Sequence, residues 1–174
     1  MMLAEKFIGQ NVTGWWMSEK LDGCRAFWDG QCLRTRSWLR VDAPDWFTAS
    51  LPKGKSLDGE LWMGRQTFQK MRVLVQFPRA SSDQWRRVKF MVFDAPNTDS
   101  VSFEDRQARA RRRTRGEFCE MVAQSRAASV LDAYAAFRKV VQAGGEGLVL
   151  RKPGHFYDFG YSANWLKMKP AGVD

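Results

Sequence analysis

Turn signals punctuate roughly the first hundred residues, and long polar helical patterns fill the next forty or so. Residues 15–20 are rich in aromatics and read as a strand. Residues 24–28 read as a second strand. Asp29 and Gly30 then form a two-residue hairpin signal. The returning strand, residues 31–36, places Cys32, Arg34 and Arg36 on one face and Leu33 and Thr35 on the other. Pro44 and Pro52 mark loops around a short segment at 45–49. Residues 57–63 make a further strand. Phe68, Met71 and Val75 fit one face of a short helix. A buried strand at 88–93 ends before Pro96.

Ser102 to Asp105 is a helix-start signature, and Ser129 to Asp132 opens a second helix. The second helix has an apolar stripe of Val130, Tyr134, Phe137 and Val141, and Gly144 and Gly145 stop it. The last strands are 148–151 and 164–169. Strands in blocks with helices inserted predict an α+β fold, mainly antiparallel sheets flanked by helices. The length, 174 residues, predicts a single domain over 1–174.

Composition narrows the function. Lys and Arg number 28 against 19 Asp and Glu, a net charge of +9. That excess points to a polyanionic partner, nucleic acid or an anionic membrane surface. Three cysteines without a CxxC pair exclude a disulfide framework and a zinc ribbon, and all three are expected reduced. One histidine excludes multi-histidine metal chemistry. No apolar run is long enough for a membrane-spanning helix. The N-terminus lacks the apolar core of a signal peptide, so a cytoplasmic location is expected.

Five short segments carry candidate chemistry. Lys20, Asp22, Gly23 and Arg25 put an amine and a guanidinium around one turn. A lysine near other cations and partly desolvated can act as a nucleophile. Asp22 would orient that lysine or stabilise the turn. Asp58 and Glu60 sit at i and i+2, on one strand face, suited to a divalent metal or a ribose hydroxyl. The 90–94 strand offers a phenylalanine to stack on a base. Glu146 and Gly147 follow the helix stop. Lys167 and Lys169 share a strand face, where like charges need an anion to neutralise them. Each segment alone also fits an ordinary turn, strand face or core.

Taken in order, these segments resemble motifs I, III, IIIa, IV and V of the covalent nucleotidyltransferases. That superfamily comprises ATP-dependent DNA ligases, RNA ligases and mRNA capping enzymes. Residues 18–23, 57–62 and 89–94 resemble most the small ATP-dependent ligases called Lig E and the chlorella-virus type. The resemblance runs from about Lys6 to Pro170. It implies an ATP-grasp-like nucleotidyltransferase fold. It also implies ATP, Mg²⁺ or Mn²⁺, nicked duplex DNA as substrate, and service in DNA repair, replication or recombination. RNA ligation, capping, or a non-catalytic nick-binding module are the alternatives.

Residue by residue, the resemblance makes Lys20 the nucleophile that forms lysyl-AMP, with Glu19 counted among the nucleotide-binding residues. Arg25 would contact phosphate, later that of the nick. Arg36, or else Arg34, would be a second phosphate ligand. Glu60 would hold the ribose, Phe93 would stack on adenine, and Glu146 would serve the metal, with Glu60 as a second metal residue. Lys167 and Lys169 would grip the α-phosphate. The family's domain is normally followed by an OB-fold with motif VI, and this chain ends four residues after Pro170. The OB-fold is therefore expected absent, either in a natural single-domain protein or in a truncated one, with a partner protein as one source for it, and a monomer is expected. Six arginines fall between Arg106 and Arg115. Arg109, Arg112 and Arg113 among them, together with Arg25 and Arg36, are expected to contact the DNA backbone. The other reading is a solvated helix face, with Glu104 and Asp105 as local partners. His155 is expected to be incidental to catalysis, and Cys24 to fill a small apolar slot.

Overall fold

A computed structural model describes residues 1–77 and 82–173. The chain divides into two compact units. Residues 1–21, 100–104 and 122–174 make the first, and 22–99 and 105–121 make the second.

The first unit is built on a five-stranded sheet, β1 (Met2–Lys6), β2 (Trp16–Glu19), β9 (Ser125–Arg126), β10 (Leu148–Arg151) and β11 (Gly160–Met168). Its order is β1-β11-β10-β2-β9. β10 is central and pairs antiparallel with β2 and β11, while β1 pairs parallel with β11. Helix α4 (Val130–Gln142) starts as expected, with Ser129 Oγ accepting from Asp132 N at 3.1 Å. Val12, Met17, Ala133, Leu148, Leu150, Leu166 and Met168 are among the residues forming the core here.

The second unit is a six-stranded sheet. In chain order its strands are β3 (Cys24–Trp28), β4 (Leu33–Arg34), β5 (Arg40–Val41), β6 (Leu57–Trp62), β7 (Lys89–Asp94) and β8 (Cys119–Met121), arranged β5-β4-β3-β6-β7-β8. Three helices belong with it: α1 (Asp45–Thr48), α2 (Phe68–Gln76) and most of α3 (Phe103–Arg113). Its core includes Phe47, Leu57, Leu61, Met71, Trp85, Phe90 and Val92. Both sheets are mostly antiparallel, with one parallel ladder each. The α+β expectation therefore holds.

Some local readings need correction. The connection after β3 is four residues, Asp29 to Cys32, because Trp28 pairs with Leu33. The Asp29 carboxylate accepts from the Gln31 and Cys32 amides at 2.8 Å each, which favours the wider turn over the two-residue one. β4 ends at Arg34, so Arg36 lies in the next turn rather than on its face. Phe68, at the first position of α2, is exposed, and Met71 and Leu74 form the buried stripe. On α4, Ala133 is buried, with Val130, Phe137 and Val140 packed on that core, whereas Tyr134 is exposed. The final strand begins at Gly160, four residues early, because its N-terminal part pairs with β1.

Candidate active site

In the first unit, strand register gathers the chemistry at one end of the sheet. Leu148 is opposite Glu19 on β2 and Met168 on β11. One step further along, Lys20 N donates to Gly147 O at 2.9 Å. Lys20 Nζ meets Glu146 Oε1 at 2.7 Å, and Lys169 Nζ lies 3.7 Å from the same oxygen. Two ammoniums thus share one carboxylate. All three side chains are largely buried, at 18–24% exposure, so solvent screens the cluster incompletely.

Gly147 makes this possible. Its φ is 156°, and a Cβ there would lie 2.0 Å from Met168 O. Gly145 is similarly crowded, with a Cβ meeting Val140 Cγ1 at 2.4 Å and Glu19 Oε1 at 2.9 Å. Lys167 pairs with Val149 on one side and Lys6 on the other. A cavity of about 260 Å³ in this unit is lined by Lys6, Lys167 and Lys169 together with Phe7, Tyr134 and Phe137. It joins cations to aromatic walls.

The second unit holds the other motif residues. Asp22 Oδ1 accepts from Trp62 Nε1 at 3.0 Å and its Oδ2 from Gln66 N at 2.7 Å. Its observed work is therefore to fasten the turn to the segment after β6. Gly23 allows β3 to approach β6, since a Cβ would sit 2.0 Å from Leu61 O. Arg25 binds Asp58 through two bonds, Nε to Oδ1 at 2.8 Å and Nη2 to Oδ2 at 2.7 Å. Its guanidinium carbon is 4.9 Å from the Phe93 ring centroid. Glu60 is the cross-strand partner of Arg25. Asp58 is wholly buried on its arginine, which leaves Glu60 as the more open carboxylate of that strand.

Arg34 is held by Asp29, Nε to Oδ2 at 3.0 Å, whereas Arg36 is exposed. Burial, then the Glu60 charge, pushes the Cys24 thiol up to about 11, so it is an inert thiol at neutral pH. Burial pushes Cys119 up to about 12. All three cysteines are free.

The arginine cluster divides. Arg106 is fully buried and pairs with Asp94, Nε to Oδ1 at 2.8 Å. Arg109 binds Asp99 at 2.6 Å, and Arg113 donates to Ser56 O at 2.9 Å. Asp94 and Asp99 are thus observed acidic partners of Arg106 and Arg109. A cavity of about 640 Å³ is lined by Lys55, Arg109, Arg112, Arg113 and Arg115, with Asp99 the one acid lining it among the described residues. Burial, then repulsion from Arg109 and Arg112, lowers the Arg113 pKa. Sequence reasoning passed over Lys55 because nothing local links it to the helix.

His155 belongs to the first unit's interior. Its ring stacks on Phe103 at 5.1 Å, and Nε2 accepts from Trp165 Nε1 at 2.8 Å. Nδ1 meets the Lys152 carbonyl, so it carries the proton. Both nitrogens are occupied structurally, consistent with a role outside catalysis.

Among the described residues no three His, Cys, Asp or Glu side chains cluster as a metal cage. Single carboxylates such as Glu146 and Glu60 suit Mg²⁺ or Mn²⁺ held jointly with substrate phosphates. No helix among the described residues is long and apolar enough to cross a membrane.

Residues 1–169 match the model of the ATP dependent DNA ligase domain. The chain belongs to the ATP-dependent DNA ligase family. Over 174 residues the ligase domain is 32% identical to a DNA ligase of Haemophilus influenzae, covering 98% of this chain and 63% of that protein. It therefore spans under two thirds of that curated relative. It is 37% identical to the structure of a Lig E DNA ligase, with a TM-score of 0.86, covering 97% of this chain and 68% of the other. The chlorella virus DNA ligase-adenylate shares the fold at 21% identity, with a TM-score of 0.79 and coverage of 97% and 66%. The adenylation-domain fold expected from the motifs is the one observed.

Proposed function

We propose that this adenylation domain activates ATP on Lys20 and serves the sealing of nicks in duplex DNA. The observation that carries the reading is the Lys20–Glu146–Lys169 cluster, in which Glu146 Oε1 lies 2.7 Å from Lys20 Nζ and 3.7 Å from Lys169 Nζ.

In the first step the Lys20 amine attacks the ATP α-phosphorus. A P–N bond forms, the bond to the β-phosphate bridging oxygen breaks, and pyrophosphate leaves. The amine must first lose its proton, and Glu146 is within hydrogen-bond reach to accept it. Lys167 and Lys169 offset the negative charge that accumulates at the phosphate. Glu19, whose Oε1 approaches Gly145, is the further nucleotide contact in this reading. Glu60 binds the ribose and Phe93 the adenine face. Glu146 in the first unit and Glu60 in the second are each proposed as residues that would serve a divalent ion, which would supply charge neutralisation on the phosphates.

In the second step a 5′-phosphate oxygen at the nick displaces Lys20 from phosphorus. In the third the 3′-hydroxyl attacks that 5′-phosphate, loses its proton and releases AMP. Arg25 and Arg36 contact the nick phosphate. Arg109, Arg112 and Arg113 grip the backbone, and the cationic cavity they line supports this assignment.

The deciding experiment is intact-protein mass before and after incubation with ATP and Mg²⁺, beside Lys20→Ala. One AMP adduct on the wild type, lost in the variant, is the expected outcome. Absence of any adduct overturns autonomous activation, and a pre-adenylylated nick then tests the final step alone. Nicks that are all DNA, hybrid or all RNA separate DNA ligation from RNA ligation or capping. Nick binding that survives Lys20→Ala without any sealing identifies a non-catalytic module.

A further inference from the structure

The loop joining β4 to β5 carries Trp38 and Leu39, which are 51% and 66% exposed. Neither belongs to the core of the second unit. The loop itself is tightly held. Thr35 N donates to Leu39 O at 2.8 Å, Trp38 N to Thr35 O at 2.9 Å, and Leu39 N to Thr35 Oγ1 at 3.1 Å. That closure fixes Trp38 at φ 65°, a left-handed conformation that bulky L-residues seldom adopt. A glycine would occupy it without the steric penalty.

The indole is nonetheless positioned. Its centroid is 5.4 Å from that of Phe27, and the Arg34 guanidinium carbon is 5.9 Å away. A large aromatic ring is therefore held in place, half in water, on a strained backbone. Folding gains little from that arrangement, and strained exposed residues of this kind concentrate where ligands bind.

The charges around the ring indicate the ligand. Arg36 and Arg40 are both exposed. Arg34 and Arg40 are cross-strand partners on the β4–β5 ladder, which gathers positive charge beside the ring. Arg34 has Asp29 as its partner, and Arg40 has no carboxylate partner among the described residues. Aromatic surface interleaved with guanidiniums is the combination that meets a nucleobase or sugar flanked by phosphates.

We infer that Trp38 is an aromatic contact for nicked duplex DNA, its indole resting on a base or sugar at the break while Arg36 and Arg40 meet the flanking phosphates. The choice of DNA as occupant rests on the ligase reading and on the cationic character of this loop.

The test is equilibrium binding of a fluorescent nicked duplex to the full chain over a series of salt concentrations, with affinities compared at equal salt. Trp38→Ala weakens binding about 5- to 100-fold, the range of one lost aromatic stack. Trp38→Phe, which keeps a ring, stays within about 2-fold of wild type. Arg40→Ala reduces the salt dependence by about one counterion, whereas Trp38→Ala leaves that slope unchanged.

Trp38→Ala binding as tightly as wild type overturns the proposal, and so does Trp38→Phe binding as weakly as Trp38→Ala. A melting temperature for Trp38→Ala far below wild type assigns the ring to the fold and also overturns it. Loss of a self-associated species in ultracentrifugation, with DNA binding unchanged, makes a second copy the occupant instead. The AMP adduct on the wild type needs no DNA and is scored separately. DNA binding sensitive to Trp38 without an adduct sinks ATP activation alone, and an adduct with no effect of Trp38 sinks only this inference.

Discussion

Arg25 and Asp58 form a paired, two-bond contact in which the carboxylate is wholly buried and the arginine side chain is 17% exposed. The same guanidinium lies over Phe93. One residue thus fixes two neighbours on β6 and β7, and each is a motif position.

The burial of that pair decides its magnitude. An exposed pair would be worth about 0–1 kcal/mol. Removing Asp58 here leaves a mostly buried guanidinium without its acid, so Asp58→Ala should lose about 3–5 kcal/mol of stability. Urea unfolding measures it. A loss below about 1 kcal/mol would show that water reaches the arginine freely.

Gly147→Ala should damage both fold and chemistry. The new Cβ would meet the Met168 carbonyl, and the backbone there is left-handed. A destabilisation of roughly 2–4 kcal/mol is expected from such a clash. The Lys20 contact to Gly147 O shifts with it, so AMP adduct formation should fall. Thermal melting and adduct mass check the two effects, and an unchanged adduct yield would detach Gly147 from the site.

Lys169→Ala should slow adduct formation by about 10²–10³-fold, comparable to losing one preorganised donor. Stability should change little, because an ion pair at 3.7 Å to a shared carboxylate is weak. Single-turnover adduct kinetics distinguish this from a folding defect, which would slow the reaction only in proportion to the unfolded fraction.

Acid stability should depend on Glu104. Burial opposes its charge, yet bonds from Trp16 Nε1 and Gly154 N and the Arg126 charge outweigh that and hold its pKa below the usual 4.5. The folded value is depressed, so its contribution is complete above about pH 4.5 and lost as pH falls through the folded pKa. Glu104→Gln should flatten the acid limb of the unfolding midpoint as pH falls below the ordinary glutamate range. An identical acid limb in the variant would remove Glu104 from the account.

Much of the fold was legible where local rules dominate. The Ser129 cap, the strands at β3, β6, β7 and β10, and the Gly144 stop all follow from residues within a turn of one another. β1, β5, β8 and β9 were not read, because each is short and lacks a sustained period. β1 is a strand because β11 lies beside it, and nothing within Met2–Lys6 announces that partner. The Asp29–Gly30 pair suggested the tightest turn, and the Asp29 side chain selected a wider one by capturing two amides.

The candidate site divides the same way. By itself the sequence determined the motif residues, their order and the charge that suits a polyanion, since these are properties of residue type and spacing. Only tertiary structure decided that Lys20 meets Glu146, 126 positions away, because that contact depends on β10 lying between β2 and β11. Tertiary structure likewise buried Arg106 on Asp94 while leaving Arg112 and Arg115 at an open cavity, although all three belong to one run of similar charge. A run of arginines fixes the net charge, but burial and the geometry of the available carboxylates fix which of them remains for a ligand.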